Sequence, residues 1–514
     1  MRETRNSAVT AVVSAIGLVL TLLAITSQGT ANAVPGQPEP ASIVDRGHFG
    51  QSGRWLVDGS GRVVLSAGVN LVNKHSPYTA EGVGFNLDDV RWLATNGFDS
   101  VRLGIIWKAI EPSPGHYDDT YLASIRRTID LLASQGISTL VDDAHQDMYN
   151  ERFQGEFAPD WAVLDDGLPD QPRVGFPANQ AVNAGLLRAY DNFLANRRGP
   201  GGVGLVDRFA AMWHHVAAHL RPARGILGYD LLNEPWPGSA YLGCVATLGA
   251  CSAARERLDV LNSTVSTAIA AADPDAISFY EPYSIWNDGI DIRPARPTGT
   301  AHAALSWHDY CPVAALLGSY TGCAPFDGRT FANADRAALD DHVGSLLTEF
   351  GATDDAPTLR AITDAARAHL VGWQYWAYCD CSDPTTQDRD AQGIVGHPQR
   401  PGPVRPDDVN TAKLAILAAP HVRAVAGTPL RTRRVPGTGT YTAAWTPRRG
   451  DGTGWFDART PTEVAVPAVD FPHGFHVTVT GGHITARRDG RLFLVADTHA
   501  PVGIEITASP AAEG

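Results

Sequence analysis

The sequence predicts an α/β chain, a (β/α)8 TIM barrel followed by a small C-terminal antiparallel β-sandwich. Three observations carry this. Between Val63 and Trp376, eight short apolar runs alternate with longer amphipathic stretches, the pattern of parallel strands joined by crossover helices. After a last helical stretch the texture changes to short strand-like runs set apart by Gly, Pro and Asp. The chain is 514 residues long, 44% hydrophobic and 19% charged, so it is a folded protein with material for two domains.

The eight expected strands are 63–69, 100–104, 138–142, 226–232, 276–280, 303–307, 345–348 and 371–376. The expected helices are 87–95, 119–135, 181–195, 203–220, 252–272, 335–343 and 358–369. The last of these follows Pro357, a residue suited to a first helical turn. Eight β-then-α units argue for closure of the sheet. A doubly wound open sheet would want a Gly-rich turn after its first strand, and Val69-Asn70-Leu71-Val72-Asn73 is not one. A further amphipathic helix is expected over 411–426, ending in Gly427-Thr428-Pro429. Strand-like runs then follow at 441–445, 463–466, 475–480, 483–487, 492–495 and 504–506. The expected division is a leader at 1–33, a barrel at 34–428 and a sandwich at 429–514.

Both ends of that reading have chemical support. Arg2 and Arg5 precede an apolar stretch from Ala8 to Ile25, and Ala31-Asn32-Ala33 offers a small-x-small cleavage pattern. A secretory leader cut between Ala33 and Val34 is expected, with an uncleaved membrane anchor as the alternative. The secreted chain is then soluble, with 34–42 a Pro-rich start. In an oxidising compartment six cysteines in three close pairs suggest local bridges: Cys244 with Cys251, Cys311 with Cys323, and Cys379 with Cys381. Six cysteines allow about 15 connectivities, and a Cys-Asp-Cys bridge closes a tight ring. The spacing lacks the Cys-x-x-Cys of a zinc site. The net charge is -14 with no Lys/Arg-rich run, which disfavours nucleic acid as a partner. Twelve Trp against 3 Met hint at flat apolar ligands such as sugar faces, although core Trp explains the same count.

Reactive groups of such a barrel belong at the C-terminal ends of its strands. There the sequence places Arg102, His145-Gln146-Asp147, Asn233-Glu234-Pro235, Trp307-His308-Asp309-Tyr310, Glu349-Phe350-Gly351 and Trp376. Glu234 and Glu349 end the fourth and seventh strands, across the barrel mouth from each other. Paired carboxylates flanking a glycosidic bond are what retaining hydrolysis needs: a protonated one to serve the leaving oxygen, an ionised one to attack. Arg102 can keep the nucleophile ionised, Tyr310 can donate to it, Asn233 can hold a sugar 2-hydroxyl and Trp376 can floor the ring. Each member alone is weak. Asn-Glu-Pro is a common tripeptide, His308 could be a satisfied core histidine, and Asp142 and Asp143 read as barrel or loop groups. Glu281, ending the fifth strand, is a third carboxylate that competes for a role.

Taken as an ordered set, these residues resemble glycoside hydrolase family 5. Within it, Val101-Arg102-Leu103-Gly104-Ile105-Ile106-Trp107, His145-Gln146-Asp147-Met148-Tyr149 and Ala158-Pro159-Asp160-Trp161-Ala162 resemble the endoglycoceramidase branch, over nearly the whole chain after the leader. The resemblance implies Glu234 as acid/base and Glu349 as nucleophile. It implies that Asn233, His145, Asp147, His308 and Tyr310 line the sugar subsite, with Lys74 reaching a sugar hydroxyl. The implied substrate is a glycosphingolipid, cut between glycan and ceramide, with transient contact to a membrane or micelle surface. Two carboxylates suffice, so no metal or organic cofactor is expected, and a monomer is expected.

Two departures stand out. Asp142-Asp143-Ala144 precedes His145 where a more apolar approach is expected, and the Cys244/Cys251 loop follows strand four where an aglycone would sit. The alternatives are the same chemistry on glucosylceramide, a sterol glucoside or a short glucan, or a non-catalytic glycan- or lipid-binding surface protein. Loss of either Glu would favour the last, and both are present. The sandwich is expected to pack on the barrel rather than bind carbohydrate, with Trp445 and Trp455 as the aromatics that decide it.

Overall fold

The computed structural model describes residues 47–510, except 144, 386–388 and 436–437. The expected leader, its cleavage point and the Pro-rich start lie outside the described residues.

Eight parallel strands form a closed barrel: β1 (Ala67–Leu71), β2 (Ser100–Ile105), β3 (Ser138–Asp143), β4 (Ile226–Asp230), β5 (Ile277–Tyr280), β6 (His302–Asp309), β7 (Gly344–Phe350) and β8 (Gly372–Tyr375). They pair in chain order, and β8 closes on β1 through Trp373 opposite Ala67. The strands are buried on both faces, which is why they read as near-continuous apolar runs. Side chains from five strands, among them Leu140, Leu227, Phe279, Ala304 and Leu346, fill the interior with Phe49, Leu56, Val64 and Ala424. The barrel interior is a packed core rather than a pore.

The expected first strand divides. Val63–Val64 pairs antiparallel with Trp55–Val57 and with His421–Val425, and β1 begins only at Ala67. An apolar run shows no sign of where the chain changes its hydrogen-bonding partner. The expected helix 181–195 breaks at Asn183. That residue ends Asn179–Val182 and caps Ala184–Leu194, its side chain accepting from the Leu186 N–H. The helix expected at 335–343 is Ala324–Asp340, with a proline in its first turn. The helix expected over 411–426 stops at Leu417. Pro420 cannot continue it, and His421–Val425 is a strand. Between β5 and β6 there is a short turn of helix, Ser284–Asp288, in place of a full crossover helix. Two expected helices are capped by side chains: Asn86 and Asp89 form a capping box for Leu87–Thr95, and Asp118 caps Asp119–Ser134.

Two antiparallel sheets complete the chain. One orders Gly50–Ser52, Trp55–Val57, Val63–Val64, His421–Val425, Thr462–Ala465, Arg491–Ala496 and Gly482–Arg488. The other orders Thr428–Val435, Thr440–Thr446, Val502–Ala508 and Phe475–Thr480. Their inner faces share a core that includes Val63, Val422, Tyr441, Trp445, Leu494 and Ile504. Strands from both sides of residue 429 therefore build these sheets. Trp445 is a core residue, whereas Trp455 is half exposed and stacks on His499. A buried charge pins the sandwich to the barrel's N-terminal end: Arg423 donates to Asp99 at 3.0 Å and to the Gly136 carbonyl at 2.9 Å. Within the sandwich, Arg62 donates to Glu463 at 2.8 Å. All three close cysteine pairs are bridged: Cys244–Cys251, Cys311–Cys323 and Cys379–Cys381. Among the described residues no helix is long and apolar enough to cross a membrane.

Candidate active site

A cavity of about 760 Å³ opens at the C-terminal mouth of the barrel. Lys74, His145, Asp147, Asn233, Glu234, Tyr310, Glu349 and Trp376 line it. Arg102 and His308 do not: both are buried behind that wall and act through the carboxylates.

Arg102 is the hub. It is fully buried on β2, and its guanidinium donates to Glu349 at 2.5 Å, Glu281 at 2.9 Å, Asp230 at 2.9 Å, Asn233 at 2.9 Å and Asn70 at 3.2 Å. Asp142 adds an ion pair at 3.1 Å. Arginine suits this post because its planar fork offers five donors in fixed directions. With every arm engaged it cannot also bind sugar, so it is a positioning residue rather than a substrate ligand. Burial pushes Asp230 up to about 8, with Glu281 and Asp142 adding to Arg102's incomplete compensation. For Asp142 burial is overcome by Arg102 and His145, which hold the carboxyl below its ordinary value.

Glu349 sits on β7 where the ladder to β6 slips between Leu347 and Glu349, a bulge that re-aims the strand end. Its Oε1 takes the Arg102 donor, and its Oε2 accepts from the Tyr310 hydroxyl at 3.0 Å. Burial pushes the carboxyl up, against the pull of His308 and Arg102. Burial likewise keeps the Tyr310 phenol far above its ordinary range, with the Glu349 and Glu234 charges adding to it, so it is a donor at any working pH.

Glu234 follows β4 with a φ of 40°, a left-handed conformation uncommon for a residue with a side chain. Four contacts hold it there. Its N–H donates to Glu281 at 2.8 Å, and its carbonyl accepts from Gln146 at 2.7 Å. Its Oε1 accepts from Asn287 at 2.9 Å and lies 2.9 Å from His308 Nδ1. Backbone strain held by such over-determined contacts is typical of functional positions. His308 Nε2 faces Glu281 at 3.3 Å. Burial opposes a charge on His308, but Glu281, Glu349 and the bond to Glu234 push it well above the ordinary value, which favours the imidazolium.

The cavity's far wall is a second charged cluster. Lys74 Nζ bonds Asp147 at 2.5 Å and Thr385 at 2.7 Å, with Asp383 at 3.1 Å and Glu156 at 3.8 Å. His145, Asp147 and Glu156 lie close enough to suggest metal ligands, but the Lys74 ammonium already serves this acidic pocket. His145 stacks on Trp376 at 4.8 Å between centroids, and Lys74 stands 4.6 Å over the same indole. Burial and Lys74 oppose the imidazolium, yet Asp142 at 2.8 Å and Asp147 push His145 up to about 9. The unexpected Asp142 is thus the partner that charges His145 and pairs with Arg102.

Several working residues had no assigned role in the sequence reading. Glu281 is resolved as a buried brace of Glu234 and His308, outside the cavity lining. Gln146 sits inside a quoted motif but had no role; it bridges Glu234, Asn233 and Tyr190. Asn287, Asp383 and Thr385 lie on loops after strands five and eight. Their only signal is a polar side chain soon after a strand end.

Fold and site together define a glycoside hydrolase: two carboxylates on opposite strands of a barrel mouth, each fixed by buried donors. The cellulase (glycosyl hydrolase family 5) model matches residues 64–382, and the family's C-terminal domain matches 420–507. The chain belongs to glycoside hydrolase family 5, in its endoglycoceramidase-like branch. It is 30% identical over 471 residues to endoglycoceramidase I of Rhodococcus hoagii (strain 103S), covering 88% of this chain and 87% of that protein. To an endoglycoceramidase of Cyanea nozakii it is 27% identical, over 63% of this chain and 67% of that protein. Endo-glycoceramidase II from Rhodococcus sp. superposes with a TM-score of 0.71 at 26% identity, over 89% of this chain and 100% of that one. A further structure of that enzyme is a complex with ganglioside GM3.

Proposed function

We propose that the protein hydrolyses the bond between the glycan and ceramide of glycosphingolipids, by a retaining double displacement. Glu349 is the nucleophile and Glu234 the acid/base. One observation carries the mechanism. His308 Nδ1 is 2.9 Å from Glu234 Oε1 and 3.6 Å from Glu349 Oε2, so those oxygens can be no farther apart than the two distances laid end to end. That ceiling on one oxygen of each carboxylate favours the roughly 5–5.5 Å separation of direct attack over the roughly 6.5–9.5 Å of inverting enzymes.

In the first step a Glu349 oxygen attacks the anomeric carbon as the bond to the leaving oxygen breaks. Glu234 gives its proton to that oxygen, which departs as a free hydroxyl. Glu234 Oε1 is taken by His308 and Asn287, which leaves Oε2 to carry the proton. In the second step Glu234 takes a proton from water, the water oxygen adds to the anomeric carbon, and Glu349 is released. Asn233 has its carbonyl on Arg102 and one N–H on the Gln146 carbonyl, so its remaining N–H is oriented for a sugar hydroxyl. Lys74, Asp147, His145 and Trp376 form the wall for the cleaved sugar.

Ceramide as the leaving group is supported by the relatives above and by the cavity's other side. There Phe176, Trp236, Tyr241, Ile285 and Pro312 give an apolar lining, with Trp236 stacked on Tyr241 at 4.5 Å. The same reading takes 1–33 as an export leader, 34–428 as the catalytic unit and 429–514 as a packing partner acting as a monomer.

The test is incubation of the chain from Val34 onward with a glycosphingolipid panel in detergent, beside β-glucan and aryl β-glycosides. Mass spectrometry should find free ceramide and an intact oligosaccharide. Cleavage of glucan or simple glucosides alone would keep the two-carboxylate chemistry and discard the lipid.

A further inference from the structure

The three most exposed large apolar side chains among the described residues are Leu248 at 77%, Leu242 at 71% and Leu317 at 65%. All three sit on two loops at the mouth of the active-site cavity. Leu242 and Leu248 belong to the loop after β4, and Leu317 to the loop after β6. Neighbours on the same loops, Tyr241 and Gly318, line the cavity itself.

Composition sets these loops apart. In a chain that is 19% charged, residues 235–254 hold no Asp, Glu, Lys, Arg or His, and neither do residues 310–326. A solvated surface loop has no reason to exclude charge over both stretches. A surface that leaves water on contact does, because each charged side chain carried out of water costs free energy. Each loop is also closed on itself by a disulfide, Cys244–Cys251 and Cys311–Cys323, with one fully buried cysteine in each, so the apolar tip is tied to a fixed anchor. Leu248 is kept at a φ of 51°, a left-handed conformation that a leucine rarely adopts. A residue both strained and exposed contributes nothing to the interior.

We propose that these two loops form an interfacial docking surface for a neutral lipid layer. They would seat the cavity mouth on zwitterionic or uncharged headgroups, with Leu242, Leu248 and Leu317 entering the headgroup–acyl boundary. The charge balance selects the occupant. With a net charge of -14 the chain is repelled by anionic membranes, and uncharged loops offer nothing to attract them. Attraction is therefore apolar and directed to neutral surfaces. The proposal rests on the lipid-linked substrate of the proposed function, and names the surface from which that substrate is drawn.

The experiment uses the full chain from Val34 and the triple variant Leu242→Ser/Leu248→Ser/Leu317→Ser, with flotation on phosphatidylcholine vesicles and on phosphatidylserine vesicles, neither containing glycolipid. Wild type should float with phosphatidylcholine and less with phosphatidylserine. The triple variant should lose roughly tenfold or more in affinity, since each leucine gives up apolar burial. Its turnover of a soluble aryl glycoside should be unchanged, which also shows that it is folded. Equal flotation of wild type and variant, or no flotation of wild type, would overturn the proposal. So would self-association abolished by the variant without vesicle binding, which would assign the surface to a second copy. Because the vesicles hold no substrate, the two readings fail separately. Flotation without ceramide release in detergent would sink the substrate, and ceramide release without leucine-dependent flotation would sink the docking surface.

Discussion

His308 Nδ1 stands 2.9 Å from Glu234, on the same carboxylate oxygen that Asn287 holds at 2.9 Å. One carboxylate oxygen is thereby fixed by two donors, and the other is left to deliver the proton. His308→Ala should slow substrates with poor leaving groups more than activated aryl glycosides, because only the former need the proton in full. Glu234→Ala should show the same bias more strongly, and azide should rescue it on activated substrates as a glycosyl azide of retained configuration. Equal losses on all substrates, without rescue, would remove Glu234 from the acid/base role. Glu349→Gln should abolish turnover on every substrate with the fold intact.

His145 ties stability to pH. Its folded value of about 9 lies above the ordinary 6.5, through Asp142 and Asp147. The stabilisation is therefore fully present below pH 6.5 and is lost as pH rises through about 9. It is worth on the order of 1–3 kcal/mol. Melting temperatures of wild type should fall across that window, and those of His145→Gln should lack this component. Parallel curves would show that the proton is not on His145.

Asp230 is a buried carboxyl whose ionisation is disfavoured. Burial lifts it to about 8, while its Oδ2 accepts from Arg102 at 2.9 Å and from Ser306 at 2.8 Å. An amide reproduces that arrangement, so Asp230→Asn should keep most of the activity and stability at pH 7. Asp230→Ala removes an acceptor from a buried guanidinium and should cost about 2–4 kcal/mol. Chemical denaturation of the pair decides it: similar losses in both variants would mean that Asp230 works as an anion.

The strands were legible because a parallel strand buried on both faces is apolar throughout, and the barrel rule then located Glu234 and Glu349 at strand ends. What could not be read was partner choice. Val63 and Ala67 belong to one apolar run but to different sheets, since pairing is decided by distant chain. The same limit hid the division of labour among acidic groups. Asp142, Asp230, Glu281 and Glu349 all converge on Arg102, and only their depth and hydrogen bonds separate the nucleophile from its supports. Loop residues such as Asn287 and Thr385 have no periodicity to mark them.

Asp309 and Asp327 show the limit most sharply, because two buried carboxyls meet at the cavity wall from β6 and from the helix Ala324–Asp340. Neither Asp309 oxygen has a hydrogen-bond partner among the described residues. Burial and the Asp327 charge push Asp309 well up, and burial pushes Asp327 up to about 6. A carboxyl raised from 3.8 to about 6 costs nothing below the lower value and its full penalty above the higher one. Asp327→Asn should therefore stabilise the protein by about 1–3 kcal/mol at pH 7.5, with the gain vanishing near pH 4. A gain of equal size at both values would trace to packing rather than charge.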